Sequence, residues 1–214
     1  MALYRGQDLL AWRTTDEDRA HSRMLALFVD EVLTDAGVAP GQLGAVAYSK
    51  GPGSYTGLRV GLAAAKGLAY AADIPLVGIP TLDIIRVQAE ARSAAASFIC
   101  MQDARRMEAY TQSFLRGGKA LDELSATILD EAWAQKMYER LDTPIAVTGT
   151  KATKCRDLWE PYDDVEVFDV RPEAKFMIRA ALRAIEAQDF ENILLATPEY
   201  LKAPHITSSR RKSL

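Results

Sequence analysis

Gly51-Pro52-Gly53-Ser54-Tyr55-Thr56-Gly57-Leu58-Arg59-Val60-Gly61-Leu62 decides how this chain is read, and Ala63 to Ala69 continue the pattern. Three glycines and a proline within seven residues make a backbone that turns tightly and reaches positive φ. A strand at 44–49 feeds the loop, and the chain leaves it as a helix. On that helix the small residues Gly57, Gly61, Ala65 and Ala69 recur at every fourth position. Such a ridge lets a second backbone approach closely. A strand, a glycine loop and a helix can also cradle a phosphate, with Gly51, Gly53, Ser54 and Thr56 as the contacting residues.

Outward from this segment, the first residues predict a hairpin, with Ala2–Tyr4 and Leu9–Trp12 around a turn at 5–8. A helix follows over 21–36, carrying Leu25, Phe28, Val29, Val32 and Leu33 at helical spacing and stopped by Gly37. His21-Ser22 fits its cap better than a catalytic role. After the glycine loop and its helix come a short buried strand at 75–79 and a helix over 80–92. The pattern then restarts: strands at 97–102, 107–115 and 121–129, a helix at 131–140, a strand at 144–149, a short helix at 151–159, a strand at 165–168, and a last helix opened by Pro172. Two repeats of strands followed by helix–strand pairs describe an α/β, actin-like (ASKHA, ribonuclease-H-like) duplication, with two mixed-sheet lobes flanked by helices. The lobes are expected at 1–94 and 95–204, with a basic tail at 205–214. The first repeat is one strand short at its start. That strand belongs in the middle of its sheet, so the duplication predicts a further strand upstream of Met1.

Composition narrows the function. The chain has 214 residues, a formal net charge of −3 and 49% hydrophobic residues, which disfavours a free-standing nucleic-acid binder. No apolar run nears the ~20 residues that cross a bilayer, and no signal-peptide layout opens the chain, so the expectation is a cytoplasmic protein with no membrane partner. Cys100 and Cys155 stand far apart, as reduced thiols would. Only His21 and His205 occur, so no histidine-rich metal site can be assembled. The glycine loop lacks the Gly-Lys-Ser/Thr of a Walker loop, and Thr56 replaces the third glycine of the dinucleotide fingerprint.

The glycine segment, with Asp103-Ala104-Arg105-Arg106-Met107-Glu108-Ala109-Tyr110 and the late Pro198-Glu199-Tyr200-Leu201-Lys202, resembles the TsaB (YeaZ) family. The resemblance covers the chain from residue 2 onward. Family members begin with a strand and an Asp/Glu-Thr-Ser type turn, which this sequence does not contain. The resemblance implies a non-catalytic scaffold subunit in threonylcarbamoyladenosine synthesis on transfer RNA. It implies pairing with the catalytic sister TsaD, support from the ATPase TsaE, and transfer RNA reached through the complex. Metal and ATP are then expected on the partner subunits, and no cofactor on this chain. Where TsaD carries a metal-binding histidine pair, the matching positions here are Thr81 and Ile85.

On this reading the partner interface comprises Leu25, Phe28 and Val32 of the first helix with Gly57, Arg59, Gly61, Leu62, Ala65, Lys66 and Ala69 of the second. The same surface implies a homodimer when the chain is alone. Asp103, Arg105, Arg106 and Glu108 form either a hairpin turn held by local ion pairs or a charged rim towards partners. The basic tail is an outside candidate for contact with transfer RNA phosphate. Two other functions stay open: an actin-like ATP-binding protein or small-molecule kinase acting alone, and a metalloprotease, for which the chain lacks ligands.

Overall fold

A computed structural model of the chain describes residues 1–15 and 21–201, leaving aside the side chains of residues 21–23. The tail at 205–214, His205 and the proposed cap by His21-Ser22 therefore lie outside the described residues. The elements run β1 (Ala2–Arg5), β2 (Asp8–Trp12), α1 (His21–Ala36), β3 (Val46–Gly51), α2 (Tyr55–Ala72), β4 (Leu76–Pro80) and α3 (Thr81–Glu90) in the first repeat. The second contains β5 (Ser97–Asp103), β6 (Glu108–Leu115), β7 (Ser125–Ile128), α4 (Glu131–Arg140), β8 (Ile145–Gly149), a 3-10 helix at Ala152–Trp159, β9 (Val165–Asp169) and α5 (Ile178–Glu186).

The second lobe is a continuous five-stranded sheet in the order β7-β6-β5-β8-β9. Its centre is β5, antiparallel to β6 and parallel to β8. Phe98-Ile99-Cys100-Met101 reads as an unbroken apolar run because both faces of β5 are covered. Ile99 and Met101 pack with Ala134, Met137 and Trp159 on one side, while Phe98 and Cys100 pack with Leu82, Ile85 and Ala89 of α3 on the other. Burial pushes the Cys100 thiol well above its ordinary pKa, so it is a small hydrophobe here. The Asp130 side chain caps α4 by accepting from the Trp133 N–H at 2.8 Å.

The first lobe has the same element order less one opening strand, and its sheet is divided. β1 and β2 form one antiparallel pair, β3 and β4 a separate parallel pair, and no ladder joins them. Helix α2 covers β3 through Leu62, Ala65 and Ala69 against Tyr48 and Leu76. Opposite lies α5, where Ala181 and the preceding Met177 pack with Val77, Ile79 and Ile84.

Three boundaries differ from expectation. The last helix does not open at Pro172: a 3-10 turn at Ala174–Phe176 comes first, and α5 starts at Ile178. The strand expected over 121–129 contracts to Ser125–Ile128, because the Asp122 side chain accepts from the Ser113 N–H at 2.6 Å in place of a ladder bond. Residues 174–201 also do not stay with a lobe at 95–204. They cross back to the first lobe, where Glu191 N donates to Leu76 O and Glu199 N to Lys50 O, both at 2.8 Å. Apolar burial of α5 and Ala196 against β4 and α2 drives that return.

Candidate partner-docking surface

The glycine loop is a rigid junction because its own chain closes over it. Gly51 has φ +127°, and a Cβ there would stand 2.7 Å from the Glu199 carbonyl oxygen, so only glycine fits. Gly51 and Pro52 are buried, Gly53 half-buried against Leu58, and Ser54 and Thr56 exposed. Ser54 caps α2, its hydroxyl accepting from the Gly57 N–H at 3.4 Å. Across the loop, Tyr200 stacks on Tyr55 with ring centroids 4.9 Å apart, and the Arg59 guanidinium sits 4.7 Å from the Tyr55 centroid. Two of the three stretches that carry the family resemblance, some 140 residues apart, are thus in contact. Sequence spacing gave no sign of that contact.

The ridge of small residues does not present one continuous face. Each step of four residues overshoots a full helical turn by about 40°, so Gly57 and Ala69 diverge by about 120°. Ala65 and Ala69 turn inward with Leu62 and pack inside their own lobe, as does Val32 of α1. These four expected interface residues are covered by their own chain. Gly57 is exposed and Gly61 half-buried, and both line a cavity between α1, α2 and β3. Leu25 and Phe28 line the same cavity. The outer flank of α2 carries Arg59, Ala63, Gly67 and Tyr70, all exposed, while Ala64 is exposed at the cavity. A Cβ at Gly61 or Gly67 would meet nothing within 4 Å. Lys66 is half-buried, and its ammonium donates to the Leu194 carbonyl at 3.3 Å. That bond holds the 191–196 segment, which exposes Leu194 and Leu195, beside α2.

At the charged turn, the ion pairs reach across the lobe and are not local to the hairpin. Asp103 accepts from Lys154 at 2.6 Å, with Lys151 at 3.6 Å. Burial alone would raise the Asp103 pKa; the Lys154 hydrogen bond and charge outweigh it and hold the carboxyl below its ordinary value. Arg105 and Arg106 take positive φ and are exposed, while the Glu108 carbonyl accepts from Lys154 at 2.6 Å. A second tie was not legible from spacing. Buried Arg86 on α3 pairs with Asp83 and Glu90, and Glu90 also accepts from the Gly117 N–H at 2.8 Å, fastening the β6 turn to α3.

Thr81 and Ile85 are both buried: Thr81 shares a 2.7 Å hydrogen bond with Ser49, and Ile85 lies in the core with Phe98 and Cys100. Among the described residues, no three His, Cys, Asp or Glu side chains converge as metal ligands would, and no helix is long and apolar enough to cross a membrane.

Comparison with known proteins places this geometry. A family model described as TsaD, tRNA N6-adenosine threonylcarbamoyltransferase, matches residues 14–206. The Escherichia coli tRNA threonylcarbamoyladenosine biosynthesis protein TsaB is 31% identical over 124 residues, which are 56% of this chain and 54% of that protein. The Bacillus subtilis protein of the same name is 30% identical over 151 residues, covering 70% of this chain and 65% of its own length. The matched stretches thus span about half to two thirds of these relatives. The solved structure of YeaZ from Pseudomonas aeruginosa superposes with a TM-score of 0.71 at 23% identity, covering 94% of this chain and 92% of that one. It shows the shared actin-like fold.

Proposed function

Because the chain belongs to the tRNA N6-adenosine threonylcarbamoyltransferase family, on the TsaB/YeaZ side of it, we propose that it serves threonylcarbamoyladenosine synthesis on transfer RNA as a docking subunit without chemistry of its own. Its partner is the catalytic sister, TsaD. That subunit transfers the threonylcarbamoyl group from threonylcarbamoyl-adenylate to the adenosine beside the anticodon. TsaE supplies the ATPase activity, and metal and nucleotide sit on the partner subunits. The observation that carries this reading is the outer flank of α2, where Ala63 and Gly67 lie exposed together with Arg59 and Tyr70. Small side chains on a rigid helix admit another helix at close range. Thr81 and Ile85 support the non-catalytic part: a hydroxyl bonded to Ser49 and a core hydrocarbon stand where the sister has its metal ligands.

The test is size-exclusion chromatography with light scattering on this chain, on the catalytic sister, and on their mixture. A homodimer that converts to a heterodimer is expected, together with transfer-RNA modification that needs both chains. Gly67→Arg fits the open space and gains about 1 kcal/mol of helix propensity. It should keep the fold and weaken association at least about a hundredfold, roughly 2.7 kcal/mol. Unchanged association would remove this face from the interface. Turnover of threonylcarbamoyl-adenylate or ATP by the isolated chain would refute the non-catalytic role.

A further inference from the structure

Helix α5 has two unlike faces. Ala181, with Met177 just ahead of the helix, packs inward against β4 and α3. Arg179, Leu182, Arg183 and Glu186, spaced i, i+3, i+4 and i+7, share the other face. Together with Gln7 of the β1–β2 turn they line an open hollow of about 300 Å³. The Tyr4 hydroxyl donates to the Lys175 carbonyl at 2.6 Å, which holds that hairpin beside the start of α5. Both arginines are exposed. Arg179 has no carboxylate partner among the described residues. Arg183 has Asp83 at 4.0 Å, but Arg86 already takes that carboxylate at 2.6 Å. Lys175, one step of four residues earlier, is engaged by Glu173 at 2.9 Å. Among the described residues Glu186 is the single carboxylate lining the hollow, so its charge is net positive in a chain whose formal net charge is −3.

We propose that this hollow is a contact for the sugar–phosphate backbone of RNA, with Arg179 and Arg183 on neighbouring phosphates. The inference rests on the reading that the chain serves transfer-RNA modification. A guanidinium offers a planar fork of donors that matches two phosphate oxygens. Two forks one turn apart, about 6 Å along the axis, suit the repeated charges of a polymer. A compact anion calls for donors that converge on one point. Gln7 and Glu186 add acceptors that a ribose hydroxyl can use. Helix α5 and helix α2 lie on opposite sides of β3 and β4, so a partner seated on α2 leaves the hollow open. Two phosphate contacts make a weak site alone, in keeping with the acidic composition, and add to the hold of a partner subunit on the same RNA.

The test is a fluorescence-anisotropy titration with transfer RNA, over roughly 20 to 200 mM salt, of the isolated chain and of its mixture with the catalytic sister. In both arms, Arg179→Gln combined with Arg183→Gln should weaken binding about tenfold and make the plot of log affinity against log salt shallower by about 1 to 2. Arg179→Lys combined with Arg183→Lys should keep the slope and lose part of the affinity. Glu186→Gln should tighten binding. All four side chains are exposed or line open space, so circular dichroism and heterodimer formation should not change. Affinity and slope unaffected by the double glutamine variant would overturn the proposal. So would the absence of RNA binding by the isolated chain at the lowest salt, or displacement by polyglutamate as readily as by unlabelled RNA. Binding lost with Arg210→Gln, Arg211→Gln and Lys212→Gln, and kept in the α5 variant, would overturn it in favour of the tail. Failure of the heterodimer to form, with the α5 effect intact in the isolated chain, would strike the docking reading and support the RNA contact.

Discussion

The two lobes carry the same order of elements, less one opening strand in the first, and reach different degrees of closure. In the second, β5 supplies hydrogen bonds to both neighbours and side chains to both apolar layers, so one strand unites sheet and core. In the first, the α1–α2 layer and the α3–α5 layer have formed around two separate strand pairs, and a cavity separates them. The comparison teaches that helices can be positioned by outer strands and by chain crossing back from the other repeat. What the central strand adds is ladder continuity. The recruitment of residues 174–201 to β4 fits this, since that segment contributes apolar cover and two backbone bonds to a lobe with little sheet.

The greatest contrast between the lobes should come from glycine replacement. At Gly149, φ is +139° and a Cβ would fall 1.8 Å from the Met101 carbonyl oxygen, so Gly149→Ala separates β8 from β5. A loss of at least about 4 kcal/mol is expected in chemical denaturation. Gly67→Ala, on the open flank of α2, should instead stabilise by up to about 1 kcal/mol. A mild Gly149→Ala would break the view of β5 as a clamped centre.

Next in size is truncation of apolar side chains. Phe98 on β5 is wholly buried, and Phe98→Ala should cost about 3–5 kcal/mol. Val46 on β3 is half-buried and lines the cavity, so Val46→Ala should cost only about 1 kcal/mol. A Val46→Ala cost as large as that of Phe98→Ala would break the comparison.

Asp103 and Tyr48, one from each lobe, should act at opposite ends of the pH scale. In the second lobe, Asp103 has a depressed pKa when folded. Its contribution is therefore complete above the unfolded value near 4 and disappears as pH falls through the folded value. Asp103→Asn should cost about 1–2 kcal/mol at neutral pH and flatten that acid slope. In the first lobe, Tyr48 is pushed up to about 12, first by burial and then by the Glu191 charge. Its neutral form is favoured in the fold, so stability is complete below about pH 10 and falls as pH rises towards 12. Tyr48→Phe should make the alkaline slope shallower, leaving the share of other groups such as Cys100. Identical pH profiles for the two variants would contradict the assignment of each group to its own lobe.

Much of the fold was legible in residues 1–186 because local signals agree there. The turn at residues 5–8, the helical spacing from Leu25 to Leu33 and the stop at Gly37 mark their elements without tertiary help. The docking surface was legible only in part. The four-residue spacing of Gly57, Gly61, Ala65 and Ala69 identifies a ridge, but the drift of that ridge around α2 and the position of β3 decide which half is covered. Asp103 was recognisable as a charged turn residue, yet its partner Lys154 is 51 residues away and is brought to it by the β5–β8 pairing.

What the sequence determined by itself is the duplicated α/β plan, the tight glycine junction and the shortage of one strand in the first repeat. Those properties follow from turn chemistry and apolar periodicity, which act within a few residues. Tertiary structure alone decided that Tyr200 closes over Tyr55, that α5 returns to the first lobe, and that the inner half of the small-residue ridge is spent on β3. Each of these depends on which apolar surfaces meet once the chain is compact, and burial is a property of the whole molecule that no local window contains.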